Sequence, residues 1–190
     1  MLLRGVNLFL VGMMGSGKST VGKLLAPQLR YRFVDTDSLI EAYAQKSISA
    51  IFQSQGEAYF RELESQVLQE VCAHSRLVVA TGGGIVMSDR NWSYLHHGVV
   101  VWLDVPVEEL WQRLSHSAVP RPLLHTPDPQ ATLQTIWQQR RHRYAQADVH
   151  VTATGDPKTV AQAVIRAVID RITPANQYRG DNTSRQNGCH

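Results

Sequence analysis

The chain has 190 residues, of which 43% are hydrophobic and 18% are charged, and its formal net charge is +3. No apolar run approaches the roughly 20 residues of a membrane span, and the basic residues form no long run, so neither a membrane nor a nucleic-acid partner is expected. The two cysteines, Cys72 and Cys189, are far apart and lack metal-ligand spacing, which favours a reducing, cytoplasmic location.

Short apolar runs alternate with longer amphipathic segments along the chain. The first apolar run continues directly into a glycine turn, so we interpret it as a strand and not as a signal peptide. The alternation predicts an α/β domain with a parallel sheet and helices on both faces, in which ligands bind beyond the carboxyl ends of the strands. Strands are predicted at residues 6–11, 32–35, 77–81, 99–104 and 149–153, and helices at residues 18–29, 38–53 in two pieces, 57–73, 88–96, 107–115, 130–146 and 158–171.

The sequence "GMMGSGKS" at residues 12–19 follows the first predicted strand and matches G-x-x-x-x-G-K-[ST]. Glycines let successive backbone N–H groups turn around a phosphate, and the helix that follows adds its positive end. The lysine of such a loop reaches the outer phosphates, and the serine hydroxyl ligates Mg²⁺. The predicted nucleotide-binding residues of this loop are Gly12, Gly15, Ser16, Gly17, Lys18, Ser19 and Thr20.

Two carboxylates, Asp35 and Asp37, end the second predicted strand. One can face a metal ion while the other faces a substrate. The alternative is a cap for the next helix, supplied by Asp37 or Ser38. The third predicted strand, "LVVAT", lacks the usual Walker B aspartate, so Asp35 is the candidate that holds the waters of a magnesium ion.

The segment "GEAYFRELE" at residues 56–64 opens a predicted helix. Arg61 and Glu64 are three residues apart and therefore neighbours on one helix face, where the carboxylate can orient the guanidinium group. The alternative is a surface ion pair that stabilises the helix by less than about 1 kcal/mol.

The segment "TGGG" at residues 81–84 follows the third predicted strand. Three consecutive glycines, Gly82, Gly83 and Gly84, weaken a strand end and are expected where a ligand approaches the backbone. The alternative is a plain tight turn.

The segment "RPLL" at residues 121–124 lies in a long connection that contains four prolines. Such a connection in a compact domain is typical of a lid, which would bring Arg121 to a transferring phosphoryl group on closure. The alternative is a solvated loop arginine. From residue 173 the sequence is polar and rich in Asn, Gly and Ser, and we expect the tail 173–190 to be mobile.

Together these motifs resemble the shikimate kinase family over residues 1 to about 172. The resemblance implies a three-layer, nucleoside-monophosphate-kinase-like P-loop fold with a five-stranded parallel sheet, a substrate-binding helical region and a lid at about residues 113–128. It also implies the reaction, in which ATP with Mg²⁺ phosphorylates the 3-hydroxyl of shikimate to give shikimate 3-phosphate and ADP in aromatic amino-acid (chorismate) biosynthesis. The matching motifs are "GMMGSGKST", "DTD", "GExxFRxxE" from Gly56 to Glu64, "GGG" at 82–84 and "RPLL" at 121–124.

The resemblance also implies roles for individual residues. Asp37 is similar to the carboxylate that binds the shikimate hydroxyls and acts as a base, and Asp35 to the outer-shell partner of magnesium. Arg61 resembles a carboxylate clamp that Glu64 orients, and the three glycines resemble the backbone that touches shikimate. The implied catalytic residues are Lys18, Asp37 and Arg121.

Two further arginines are implied by the resemblance. The family pattern R-x-P-L-Y corresponds to "RRHRY" at residues 140–144, where Arg140 and Tyr144 fit the pattern and the Pro-Leu pair is replaced. Arg140 is therefore expected to be the second carboxylate clamp, with Arg141 as the alternative. Arg113, upstream of "RPLL", is the counterpart of the arginine that stacks on adenine.

Two other functions fit the same motifs. One is a kinase for another small hydroxy acid, such as gluconate, and the other is a catalytically silent nucleotide-binding paralogue. The expected state is a monomer that binds ATP and shikimate.

Overall fold

The computed structural model describes residues 3–117 and 121–173, which form five strands and seven α-helices. Two short 3₁₀ turns, Ile85–Met87 and Pro122–Leu124, lie in connections. The elements in chain order are β1 (Leu8–Val11), α1 (Lys18–Leu29), β2 (Arg32–Asp35), α2 (Thr36–Ala44), α3 (Ile48–Cys72), β3 (Leu77–Ala80), α4 (Asp89–Leu95), β4 (Val99–Asp104), α5 (Val107–Ser115), α6 (Pro129–Tyr144), β5 (Val149–Thr152) and α7 (Pro157–Ile172).

All five strands are parallel, in the order β2-β3-β1-β4-β5. The chain goes from β1 to the edge strand β2, returns to β3 beside β1, and then passes β1 to reach β4 and β5. Connections between parallel strands are right-handed as a rule, which places helices on both faces of the sheet. The central strands are buried on both faces, which explains why β1 and β3 are apolar at every position. The α/β class, the five parallel strands and the alternation with helices are therefore confirmed.

The first strand is shorter than expected, because it begins at Leu8 and not at residue 6. The exposed Val6 precedes it in the chain. Just before β1, the buried side chain of Asn7 donates to the carbonyl of His74 and accepts from the N–H of Leu77. Asn7 thus joins the amino ends of β1 and β3 and fixes where the strand begins.

Helix α3 runs through a position where the sequence indicated a break. Its backbone is non-helical at Gly56, with φ +81° and ψ 175°, so the helix is kinked there. Glycine adopts this conformation without a Cβ penalty. The kink gives α3 two arms, 48–55 and 57–72, and both face the same side of the molecule at the carboxyl end of the sheet, where they line a cavity.

Residues 118–120 of the expected lid and residues 174–190 of the expected tail lie outside the described residues. Within the described ranges, no helix combines the length and the apolar composition that crossing a bilayer requires.

Candidate active site

A cavity of about 540 Å³ lies at the carboxyl ends of β1, β2 and β3. It is lined by the start of α1, the β2–α2 junction, both arms of α3, the glycines after β3 and the connection before α6. The structure thus brings together nine of the site residues predicted from the sequence, from six separate segments. They are Ser19, Asp35, Asp37, Arg61, Gly82, Gly83, Gly84, Arg121 and Arg140.

The phosphate loop between β1 and α1 depends on its glycines. Gly12, Gly15 and Gly17 all have positive φ, and a Cβ on Gly12 would lie only 2.6 Å from the carbonyl oxygen of Leu103. The loop is therefore held against β4 in a backbone conformation that residues other than glycine rarely adopt. Because α1 begins at Lys18, its free N–H groups face the loop interior, as phosphate binding requires.

Lys18 is buried, and its Nζ donates to the carbonyl oxygens of Gly12 and Met13 at 2.9 and 2.8 Å. The hydroxyl of Ser16 lies 3.4 Å from the same ammonium group. Burial lowers the pKa of Lys18 to about 8, although Asp37 opposes this shift. An ammonium group whose charge is destabilised by burial is well suited to bind a phosphate anion.

Asp35 joins the phosphate loop to α2. The hydroxyl of Ser19 donates to its Oδ2 at 2.5 Å, and its Oδ1 accepts from the N–H groups of Asp37 and Ser38 at 3.0 and 3.3 Å. Asp35 is therefore the N-cap of α2. Asp37 and Ser38, considered as alternative caps of this helix, do not cap it, because the helix already begins at Thr36.

One carboxylate oxygen of Asp37, Oδ1, is buried and has no hydrogen-bond partner among the described residues. This oxygen lies against the backbone at Gly82, where a Cβ would approach it to 2.9 Å. Burial and then the neighbouring Asp35 raise the pKa of Asp37, while Lys18 and Arg121 lower it. A buried acceptor without a donor is expected where a ligand supplies one.

The guanidinium group of Arg61 is held by two carboxylates. It donates to Glu57 at 2.8 Å and to Glu64 at 2.9 Å, and the side chain of Glu64 is only 1% exposed. The surface ion pair considered as the alternative is therefore excluded. Burial opposes the charge of Arg61, but Glu64 and Glu57 raise its pKa, so the group stays charged at every physiological pH.

The glycines after β3 leave room for this ion pair. A Cβ on Gly84 would overlap the guanidinium group of Arg61, and a Cβ on Gly82 would overlap the carboxylate of Glu64. The hydroxyl of Thr36 also accepts from the N–H of Gly82 at 3.0 Å. Close approach to the backbone was expected here from a ligand, and the structure adds that the protein's own charged side chains approach it as well.

Arg140 and Arg141 have different surroundings in α6. Arg140 is 7% exposed and lines the cavity, whereas Arg141 is exposed and its guanidinium carbon lies 5.2 Å from the centre of the Trp137 ring. The structure thus brings Arg140 into the cavity and leaves Arg141 outside it. Arg121 also lines the cavity, and its buried Nε has no hydrogen-bond partner within the described part of the chain.

Arg113 lies on the other side of the phosphate loop, away from this cavity. Its guanidinium group donates to the carbonyl oxygens of Gly15 and Ala153 at 3.2 and 3.0 Å and pairs with Glu109 at 2.5 Å. It therefore connects the loop to the segment between β5 and α7. Thr20 is exposed on α1 and does not line the cavity.

An apolar wall of the cavity was missed in the sequence. The rings of Phe52 and Phe60 lie 4.8 Å apart, one on each arm of α3, and Ile48 and Leu123 complete the lining. Phe60 is buried in the core and also lines the cavity. The kink at Gly56, which brings Phe52 beside Phe60, was the available signal.

The fold and the cavity define an ATP-dependent P-loop kinase with a small-molecule acceptor site. The family model for shikimate kinase matches residues 14–173. The chain is 56% identical to the shikimate kinase of Synechococcus sp. (strain JA-3-3Ab) over 172 residues, 90% of this chain and 91% of that protein. It is 55% identical to the shikimate kinase of Gloeobacter violaceus over 171 residues, 90% of this chain and 97% of that protein. The chain belongs to the shikimate kinase family.

Solved structures agree with this assignment. A shikimate kinase from Acinetobacter baumannii in complex with shikimate matches with a TM-score of 0.83 and 36% identity, over 86% of this chain and 93% of that one. A gluconokinase from Sinorhizobium meliloti 1021 matches with a TM-score of 0.57 and 15% identity, over 86% of this chain and 91% of that one. The second similarity concerns the fold alone.

Proposed function

We propose that this protein transfers the γ-phosphoryl group of ATP to the 3-hydroxyl of shikimate, which gives shikimate 3-phosphate and ADP. The observation that carries the proposal is one cavity beside the phosphate loop in which the guanidinium groups of Arg61 and Arg140 occur together with the unpartnered carboxylate oxygen of Asp37. Family membership supports the choice of acceptor.

Shikimate carries a carboxylate and three hydroxyls, and the cavity has a group for each. The Arg61 guanidinium, which Glu57 and Glu64 hold in a fixed orientation, suits a carboxylate, and Arg140 would share that contact. Asp37 would accept hydrogen bonds from hydroxyls. The phenylalanine wall would contact the apolar face of the ring, and the backbone at residues 82–84 would contact its oxygens.

In the donor half, the loop N–H groups and the Lys18 ammonium would hold the phosphates of ATP. On binding, the ammonium would exchange its bonds to the loop carbonyls for bonds to phosphate oxygens. Arg113, beside the loop, would contact the adenine, and Arg121 would neutralise charge that develops on the transferring group. The full set proposed for ATP is Gly12, Gly15, Ser16, Gly17, Lys18, Ser19, Thr20, Arg113 and Arg121.

The oxygens of Ser19 and Asp35 fit a magnesium ion, which prefers oxygen ligands and keeps most of its waters. Ser19 would ligate the ion with its hydroxyl, and Asp35 would accept from a bound water. Their present hydrogen bond shows that both oxygens point to one place at the mouth of the loop. The magnesium ion would neutralise negative charge on the phosphates. Within residues 3–117 and 121–173, no cluster of three or more His, Cys, Asp or Glu side chains could hold a metal.

In the transfer, the 3-hydroxyl oxygen forms a bond to the γ-phosphorus while the bond to the β,γ-bridging oxygen breaks, and ADP leaves. The hydroxyl proton passes to the carboxylate of Asp37. The raised pKa of Asp37 makes it a stronger base than an exposed aspartate, which supports this role.

A coupled assay of ADP release tests the proposal with shikimate, gluconate and no acceptor. We expect turnover with shikimate far above the acceptor-free rate, and none with gluconate. Turnover with gluconate but not with shikimate would show a kinase for another small hydroxy acid. ATP binding without turnover on either acceptor would show a catalytically silent paralogue.

A further inference from the structure

Tyr144, the last residue of α6, contacts both the phosphate loop and the glycine segment at residues 82–84. Its side chain is 1% exposed, and its hydroxyl donates a hydrogen bond of 2.5 Å to the carbonyl oxygen of Gly83. The same hydroxyl lies 3.6 Å from the Sδ atom of Met13 in the phosphate loop. Tyr144 itself does not line the acceptor cavity.

Gly83 lies where the donor and acceptor halves meet. A Cβ on this residue would lie 3.5 Å from the carbonyl oxygen of Gly12, 3.4 Å from the backbone nitrogen of Met14 and 3.5 Å from Nη1 of Arg140. Because β3 ends at Ala80, strand pairing no longer holds the backbone here. A turn bond of 3.3 Å from the N–H of Ile85 to the carbonyl oxygen of Gly82 spans this peptide, and the Tyr144 hydroxyl is the donor to the carbonyl of Gly83 itself.

Fixing the carbonyl of Gly83 also fixes the N–H of Gly84. The C=O and N–H of a trans peptide point in opposite directions, and the described residues contain no cis peptide bond. The N–H groups of Gly83 and Gly84 have no hydrogen-bond partner among residues 3–117 and 121–173, although Gly84 is buried. Buried donors are normally satisfied, so these groups, which lie on the wall of the cavity, are available to an oxygen atom of a bound acceptor.

The Tyr144 hydroxyl is a stable donor. Burial raises the pKa of Tyr144 to about 12, although the neighbouring Arg140 opposes this shift, so the proton stays on the phenol throughout the physiological range. The ring is stacked on that of Trp102, with centroids 5.9 Å apart, and this packing keeps the hydroxyl in place.

We propose that Tyr144 is a positioning residue for the acceptor: its hydroxyl holds the peptide between Gly83 and Gly84 so that the N–H of Gly84 faces a bound oxygen of shikimate. This role rests on the proposed function and extends it to a residue that does not touch substrate.

The test compares Tyr144→Phe with the parent and with a matched control, Tyr31→Phe. Tyr31 is also buried, but its hydroxyl has no hydrogen-bond partner in the described part of the chain. For Tyr144→Phe we expect the KM for shikimate to rise about threefold to tenfold, the range for loss of one neutral hydrogen bond, with a smaller change in kcat and in the KM for ATP. Tyr31→Phe should leave all three unchanged.

The outcomes separate the two proposals. A parent protein without turnover on shikimate overturns the proposed function, and this role with it. An active parent with an unchanged shikimate KM in Tyr144→Phe overturns the role of Tyr144 alone. A Tyr144→Phe variant that only loses thermal stability or active fraction, at constant KM, shows a purely structural residue.

If Tyr144→Phe does not fold, a fluorinated tyrosine incorporated at position 144 keeps the shape and lowers the pH at which the phenol ionises. We expect its shikimate KM to rise with pH over that range, relative to the parent at the same pH. An identical pH profile of the shikimate KM in the two proteins, measured where the absorbance of the fluorinated phenol shows that it has ionised, would overturn the proposal.

Discussion

Arg61 and Glu64 form an ion pair of 2.9 Å across one turn of α3, in which Glu64 is 1% exposed and Arg61 is 26% exposed. Both side chains line the cavity, with the carboxylate almost fully buried and the guanidinium group partly exposed. Such an arrangement orients the arginine toward a ligand, since a buried partner cannot follow the side chain into solvent.

This pair leads to the first prediction. Arg61→Ala should raise the KM for shikimate about tenfold or more, because a charge-assisted hydrogen bond worth about 1.5–3 kcal/mol is lost. Arg90→Ala is the matched control, since Arg90 pairs with Glu62 at the surface and both side chains are about half exposed. Steady-state kinetics at saturating ATP measure both variants. An unchanged KM in Arg61→Ala would remove this residue from the site.

The second prediction separates the two adjacent arginines of α6. Arg140→Ala should raise the shikimate KM about tenfold or more, since the residue is buried beside the cavity and is proposed to bind the carboxylate. Arg141→Ala should stay within about twofold of the parent, because an exposed charge at the surface contributes little. The reverse pattern would show that α6 is rotated when the acceptor is bound.

The third prediction concerns Asp37 as the base. Asp37→Asn should lower kcat by about 10² to 10⁴, the usual contribution of general base catalysis. A protonated Asp37 can no longer accept a proton, so the activity of the parent should fall as the pH is lowered through the pKa of this group. Because burial raises that pKa, the fall should begin at a higher pH than for an exposed aspartate. The Asn variant should lack that acid limb. If Asp37→Asn kept the full kcat, the role of Asp37 would be restricted to binding the hydroxyls of the substrate.

The fourth prediction concerns magnesium. Asp35→Asn should raise the Mg²⁺ concentration needed for half-maximal activity about tenfold or more, in line with losses at other outer-shell metal partners. Asparagine is also a good N-cap, so α2 should remain intact and the melting temperature should change little. Asp104→Asn is the control, since Asp104 also ends a strand but pairs with His150. Equal Mg²⁺ requirements in the two variants would argue against the proposed site.

The fifth prediction follows from the pKa of Lys18, which is about 8 in the unliganded protein. Phosphate favours the charged form, so bound ATP raises this pKa. The complex then holds more protons than the free protein above pH 8, which means that binding takes up protons and that affinity falls as pH rises through that range. Calorimetry of an ATP analogue in buffers of different ionisation enthalpy measures the uptake. Lys18→Arg, which stays charged, should abolish it.

The features that were predictable from the sequence are those encoded within one segment. Hydrophobic runs bounded by glycines and charged residues indicated the five strands. The motifs indicated that Asp37 lies at the end of the second strand and that Arg61 lies in the first turns of a helix. These are local patterns, so they need no knowledge of how distant segments pack.

The rest depends on packing between distant segments. The choice between Arg140 and Arg141 is set by the rotation of α6 about its own axis, which "RRHRY" does not specify. The hydrogen bond from Tyr144 to Gly83 joins residues 61 positions apart. The sequence left the cap of α2 open because Asp35, Asp37 and Ser38 all satisfy the capping preference, and only the geometry of the β2–α2 turn selects Asp35.

The neighbouring positions of β1 and β3 in the sheet determine the distance between the phosphate loop and the three glycines at residues 82–84. The loop follows β1 and the glycines follow β3, so the two begin about one strand spacing of 4.8 Å apart. That separation is set by the backbone hydrogen bonds between the two strands. We expect substitutions in α2 and α3, which line the cavity, to alter which acceptor binds. Such substitutions leave the strand spacing in place, so one sheet can keep its chemistry while its acceptor specificity evolves.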